Sequence, residues 1–301
     1  MSSGRTLVVV ADDYGIGPET SRAIAECALR GAVTATVLLA NSPHAEEGVE
    51  GWRKVGWPAD LGWHPCLTMD APAAPPGEVP SLVGDGGVMY PLAQFLRRLR
   101  RGAIRPEHIE RELRAQYARF LDLTGRPPPL VNSHQHVALF GPVGAILRQV
   151  LREQSPRPFL RRVQEPTRLL AEIPGARVKR CLLNLLGRPQ ARVQAREGYP
   201  GADWMIGVTD PRWVRDPAFW PRWLAAVPGR VVELMCHPGH HDLTLLGRDA
   251  RPGDGLIRRR VDEYHRLTDP AFLEACRRAG FTLLPPSRLP QTPHGDRRHA
   301  A

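Results

Sequence analysis

The chain has 301 residues, with 41 Lys+Arg against 31 Asp+Glu and a formal net charge of +10. Hydrophobic residues make up 42% and charged residues 24%, which suits a folded globular enzyme and excludes a disordered chain. No apolar run approaches the roughly 20 residues that a membrane-spanning helix needs.

The first apolar run, Leu7 to Ala11, ends in Asp12-Asp13, without the length or cleavage site of a secretory signal, so the cytoplasm is the expected compartment. A helix fits Pro18 to Arg30, with proline in its first turn and Gly31 as its stop. Further strand-like runs are Val33 to Ala40, Asp60 to Trp63, Leu130-Val131, Trp204 to Val208, Val231 to Cys236 and Phe281 to Leu284. Between them, Pro106 to Leu123 carries Ile109, Leu113, Tyr117, Phe120 and Leu121 near the helical period. Asp216-Pro217 and Asp269-Pro270 each read as an N-cap followed by a first-turn proline, with Gly229 and Gly280 as later stops.

Strand and helix alternate, which predicts an α/β fold with a parallel sheet. About seven strands over this length favour a deformed or incomplete (β/α) barrel, with its active site at the C-terminal rim. A single catalytic domain is expected over residues 1–287, with 70–105 as a Pro- and Gly-rich loop or lid and 288–301 as a flexible basic tail. Residues 156–203 mix prolines, arginines and a short apolar stretch, and carry no clear pattern.

Asp12, Asp13, His64, His134 and His237 each fall at the C-terminal end of a predicted strand, so a barrel would bring them to one rim. Adjacent aspartates repel and need a compensating positive charge. One reading makes them a helix cap ahead of Pro18. The other gives one carboxylate to a divalent cation and keeps its neighbour as a base, because successive side chains on an extended segment diverge. One Asp and two His around a metal leave positions open for water and substrate, an arrangement suited to catalysis. His136 would share a face with His134 if the strand continued that far. His237 precedes a rigid Pro-Gly turn and is read as an acid, with His240 and His241 as solvent-exposed residues or a second metal site. Trp63, Tyr14 or Trp204 could stack on a sugar ring or belong to the core.

Five scattered cysteines hold no metal or redox spacing, although Cys66 and Cys236 lie near histidines and allow a Cys–His nucleophile to be considered. Lysine occurs only at Lys54 and Lys179. The arginine clusters at Arg97–Arg101, Arg161–Arg162 and Arg258–Arg260 lack interleaved aromatics. They read as solvated surface with no specific nucleic-acid partner, which leaves open a nonspecific attraction to anionic polymers or lipid.

Taken together, Ala11-Asp12-Asp13-Tyr14-Gly15, Val33-Thr34-Ala35-Thr36, Gly62-Trp63-His64 with Leu67-Thr68, Asn132-Ser133-His134-Gln135-His136 and Cys236-His237-Pro238-Gly239 resemble the YdjC-like (ChbG/HpnK) carbohydrate deacetylases. The likeness covers residues 7–140 and 231–241 and fades between 150 and 230. It implies one divalent metal ion, Mg²⁺ or Zn²⁺, held by Asp13, His64 and His134, with Asp12 as base and His237 as acid. It also implies an N-acetylated sugar or glycolipid substrate and a homodimer. Val10, Asn132 and Ala138 depart from the usual Asn, Asp and His of that pattern, without touching an implied ligand. A metal-dependent phosphoesterase on the same rim, or a non-catalytic binder of anionic ligands, are the alternatives.

Overall fold

The computed structural model describes residues 4–289, so most of the expected basic tail lies outside the described residues. Eight strands form one sheet: β1 (Arg5–Tyr14), β2 (Ala35–Leu38), β3 (Asp60–Trp63), β4 (Leu130–Val131), β5 (Phe159–Leu160), β6 (Trp204–Ile206), β7 (Val231–Cys236) and β8 (Phe281–Leu283). The helices are α1 (Pro18–Leu29), α2 (Ala45–Lys54), α3 (Leu92–Arg100), α4 (Pro106–Thr124), α5 (Val143–Val150), α6 (Thr167–Glu172), α7 (Arg177–Arg196), α8 (Pro211–Val214), α9 (Phe219–Ala226), α10 (Leu256–Thr268) and α11 (Pro270–Arg278).

The strand order is β5-β4-β3-β2-β1-β7-β6, with β8 against the start of β1, and every pairing is parallel. The ends of this path meet without a ladder. Leu160 N–H donates to the Pro200 carbonyl and Met205 N–H to the Gln164 carbonyl, so the barrel is nearly closed. The parallel sheet buries β1 on both faces, which explains its unbroken Leu7-Val-Val-Val-Ala11 run. Helices α4 and α11 form as their signals predict. α4 buries Ile109, Leu113 and Phe120 and ends at Gly125, whose φ of 72° lies in the left-handed region. Asp269 caps α11 through the Ala271 amide, with Pro270 behind it. Asp216, by contrast, accepts from the Ala218 amide in a turn before α9, whose cap is Ala218.

Two stretches differ from expectation. Residues 156–203 contain the short strand β5 and helices α6 and α7. Residues 70–105 are docked rather than open: they hold α3, a 3-10 turn and a bridge between Val83 and Met89, and they bury Val79, Leu82, Phe95 and Ile104 in the main core. The Glu112 carboxylate on α4 pins this segment by accepting from the Ala73 and Ala74 amides.

Ladder register sets the rim. Trp63 pairs with Val131 and Val131 with Leu160, so the next residues, His64, Asn132 and Arg161, stand side by side. Ala11 pairs with Cys236, which sets Asp12 beside His237. Gly62 keeps β3 and β4 in this register, since a Cβ there would lie 2.3 Å from the Leu130 carbonyl oxygen. Gly62→Ala is therefore expected to lower stability by about 1–3 kcal/mol in urea denaturation and to weaken the site together with the fold. An unchanged urea midpoint would show that the two strands can move apart freely.

Candidate active site

Strand β1 ends in a bulge. Its register with β2 shifts between Ala11 and Tyr14, and Asp13 has a φ of 68°. This left-handed residue breaks the alternation of an extended strand, so Asp12 and Asp13 both serve the rim yet meet different partners. The aspartates do not cap α1, whose N-cap is Gly17 with no side-chain hydrogen bond.

Each aspartate has its own buried arginine. Arg161, following β5, donates to both oxygens of Asp12 at 2.5 and 2.8 Å and through Nε to Glu233 on β7 at 2.5 Å. Arg260 on α10 donates to Asp13 Oδ2 at 2.6 Å and to Asp249 Oδ2 at 2.8 Å. Burial alone would push both aspartates up. The Arg161 ion pair outweighs it and brings Asp12 down to about 2, while Arg260 and His134 hold Asp13 well below the usual carboxylate range. Glu233 is pushed up by burial despite sharing Arg161. The reading of the Arg161 and Arg260 clusters as solvated surface is thus corrected: these two side chains are the site's internal counter-charges.

Asp13 Oδ1 lies 3.2 Å from His64 Nε2 and 2.9 Å from His134 Nδ1, and all three residues are buried. Among the described residues, Asp13, His64 and His134 are the group whose ligand atoms converge closely enough for a metal ion. The donor chemistry fits one. His64 Nδ1 faces the Asn132 carbonyl at 2.9 Å, an acceptor, so Nδ1 carries a proton. A neutral His64 then turns a bare Nε2 lone pair toward the Asp13 carboxylate, a contact that calls for a cation or a second proton. Neighbouring ligand atoms about 2.1 Å from a shared ion stand about 3.0–3.4 Å apart, close to the 3.2 and 2.9 Å between Asp13 Oδ1 and the two imidazoles. His134 Nε2 is buried without a hydrogen-bond partner, 3.8 Å from Asp249 Oδ1. Burial lowers the His134 ring, but Asp13 and Asp249 raise it above its ordinary value.

Asp12 is outside this triad. Its Oδ1 also accepts from Asn132 Nδ2 at 3.1 Å, and its Oδ2 faces His237 Nε2 at 3.9 Å. His237 Nδ1 is buried and unpartnered, and its backbone N–H donates to Glu263 Oε2, which fixes the Pro-Gly turn. Burial draws the His237 ring below its ordinary value, against the pull of Asp13 and Asp12.

Other candidates lie outside the metal triad. The strand stops at Val131, and His136 sits in a left-handed turn (φ 55°), where it lines a cavity of about 30 Å³ with Asn132 and Arg161, the two residues that bond Asp12. His240 contacts Glu26 and Tyr264, and neither it nor His241 joins a metal cluster among the described residues. Trp63 and Tyr14 are core residues against Tyr117 and Trp52, and Trp204 begins β6 at the end away from the rim. Burial pushes the Cys66 thiol up to about 12 and Cys236 well above its ordinary value, so neither is poised as a nucleophile.

Sequence reasoning missed Arg161, Arg260, Glu233 and Asp249. The Asp12-Asp13 pair signalled that cations were needed without naming them. Arg161→Met would leave Asp12 and Glu233 buried without their cation and is expected to destabilise the fold by about 3–5 kcal/mol in urea denaturation. Adding Asp12→Asn and Glu233→Gln to that variant should recover much of the loss. A wild-type urea midpoint in Arg161→Met alone would contradict the ion-pair account.

A family model described as YdjC-like protein matches residues 6–278. A carbohydrate deacetylase of Mus musculus is 31% identical over 280 residues, covering 88% of this chain and 89% of the relative. A carbohydrate deacetylase of Geobacillus stearothermophilus is 29% identical, covering 93% of this chain and 96% of its own. A chitooligosaccharide deacetylase of Klebsiella pneumoniae (strain 342) is 26% identical, covering 93% and 97%. A crystal structure from Enterococcus faecalis V583, described as a cellobiose-phosphate cleavage protein, shares the fold at a TM-score of 0.71 and 23% identity, covering 94% of this chain and 98% of that one. With its family pattern matched along nearly its whole length, the chain belongs to the YdjC-like family.

Proposed function

We propose that this chain is a metal-dependent hydrolase that removes the N-acetyl group from an amino sugar or a sugar-containing glycoconjugate, releasing acetate. The observation that carries this reading is the buried Asp13–His64–His134 triad next to an ionised Asp12 whose Oδ2 faces His237 Nε2 at 3.9 Å. The deacetylase names of full-length relatives supply the bond and the substrate class. The reading takes residues 1–287 as one catalytic domain.

Asp13, His64 and His134 would hold one divalent ion, Mg²⁺ or Zn²⁺; two imidazoles favour Zn²⁺ or another transition ion over Mg²⁺. Such an ion, when bound, polarises the acetyl carbonyl and acidifies the attacking water. Asp12 stays ionised across the working pH range because Arg161 clamps it. Its Oδ1 accepts from both Asn132 and Arg161, whereas Oδ2 accepts from Arg161 alone and lies on the His237 side, so Oδ2 is the oxygen with a lone pair left to take the water's proton. The amine is a poor leaving group, and His237 Nε2 supplies the proton it needs. Water adds to the acetyl carbon, the C–N bond breaks, and acetate and a free amino sugar leave.

Acetate release from a panel of N-acetylated sugars and glycolipids is the direct assay. Metal-stripped protein is expected to be inactive and to recover with Zn²⁺ or Mg²⁺, and Asp12→Asn to lose about a thousandfold in rate. Release that survives chelation, or survives Asp12→Asn, would overturn the metal or the base assignment respectively.

The pH profile tests the acid. His237 must be protonated to act and is held below its ordinary value near about 6.5, so kcat/KM should fall as the pH rises through that lowered value. His237→Asn should lower the rate and remove this limb. A limb that persists in the variant would belong to another group.

A further inference from the structure

Helix α7 packs one face onto the His134–Leu139 segment that carries the site and leaves its opposite face uncovered. Leu183 joins Leu139, Val163, Met205, Val208 and Met235 in an apolar cluster on the inner side, and Gly187 presses against the Val163 carbonyl. On the outer side Val178, Cys181, Leu182 and Leu185 follow the i, i+3, i+4, i+7 spacing and form one stripe. Val178 is 85% exposed, Leu182 51% and Leu185 72%, three of the seven large apolar side chains exposed among the described residues.

The charge around the stripe is of one sign. Residues 177–196 contain six basic residues and no acidic one. Arg180 is buried in an ion pair with Glu165, whereas Arg177, Lys179, Arg192 and Arg196 are exposed around or beyond the apolar positions. The helix starts at the rim, where the Ala176 amide donates to Asp210 in the loop after β6. Lys179 is near enough for its charge to reach His136.

An exposed apolar stripe with a basic border has the chemistry of a helix lying in a lipid interface. A second copy of the chain is a poor occupant, because two such faces would bring like charges together. The chain's last residues, 290–301, carry Arg297 and Arg298 against Asp296 alone and offer no complementary charge. We propose that this face of α7 docks on an anionic membrane surface, with Val178, Cys181, Leu182 and Leu185 entering the acyl boundary and Arg177, Arg192 and Arg196 meeting lipid phosphates. The helix would then bring the open rim against the headgroup layer, next to sugar carried by lipid. The inference is independent of the deacetylase reading, since docking needs no turnover.

Vesicle flotation of the full chain tests it, with phosphatidylcholine alone and with about one-third phosphatidylglycerol added. The wild type is expected to float with the anionic vesicles and to remain behind with neutral ones. Leu182→Glu with Leu185→Glu, and separately Arg192→Glu with Arg196→Glu, should each reduce partitioning by at least about tenfold. Thermal melts of both double variants should match the wild type, because all four positions are exposed. Three results would overturn the proposal. One is no flotation of the wild type. Another is full binding by the leucine variant, which marks simple ionic attraction to any anionic polymer. The third is a sedimenting dimer that the leucine changes dissociate, which assigns the face to a second copy.

Discussion

Two neighbouring carboxylates can be buried together only if each finds its own cation, and the rest of this site depends on that requirement. At an effective dielectric of about 20, two unit charges about 4 Å apart repel by about 4 kcal/mol, before the cost of taking them out of water is counted. Arg161 and Arg260 offset this repulsion from opposite sides. One comes from the end of β5 and the other from α10, 149 and 247 residues from the aspartates they serve. The charged centre therefore exists only when the barrel has assembled, and the same ion pairs that make burial tolerable hold the carboxylates ionised. The arginines also divide the labour. Arg161 takes both oxygens of Asp12, while Arg260 takes only Oδ2 of Asp13 and leaves Oδ1 facing two imidazoles. Adjacent residues of one type acquire different chemistry from their partners.

The long buried strands were legible because their signals are local. β1 holds a continuous apolar run and β7 an apolar run broken only by Glu233, both end abruptly, and β3 stops immediately before His64. Parallel register then converts these endings into a shared rim. β5 was not legible, since two residues between prolines and arginines carry no period, yet its single following residue supplies the cation for Asp12. Arg260 was hidden differently. It lies in a run of three arginines on α10, where composition suggests a solvated face, and only tertiary packing buries Arg260 against Asp13 while Arg258 stays exposed. His136 shows the limit of pattern reasoning from the other side: its spacing from His134 suits a strand, but the backbone turns left-handed at Gln135 and His136, and of the two histidines it is His134 that meets Asp13 in the triad.

Backbone strain is concentrated where the chemistry is. Six non-glycine residues have positive φ among the described residues, and Asp13, Gln135 and His136 are three of them. Such conformations cost about 1–3 kcal/mol each and persist where surrounding contacts over-determine them. At Asp13 those contacts are the Arg260 ion pair and the two imidazoles. At Gln135 the side chain accepts from Thr68 at 3.0 Å, and the His136 amide donates to the Ser133 carbonyl. The bulge breaks the two-residue alternation that would have sent Asp12 and Asp13 to opposite faces. A regular strand would be more stable locally, but it could present only one carboxylate to the rim. The fold thus accepts local strain and buried charge at one end of the barrel, and the apolar core built on β1, β2 and β7 supplies the stability that offsets both.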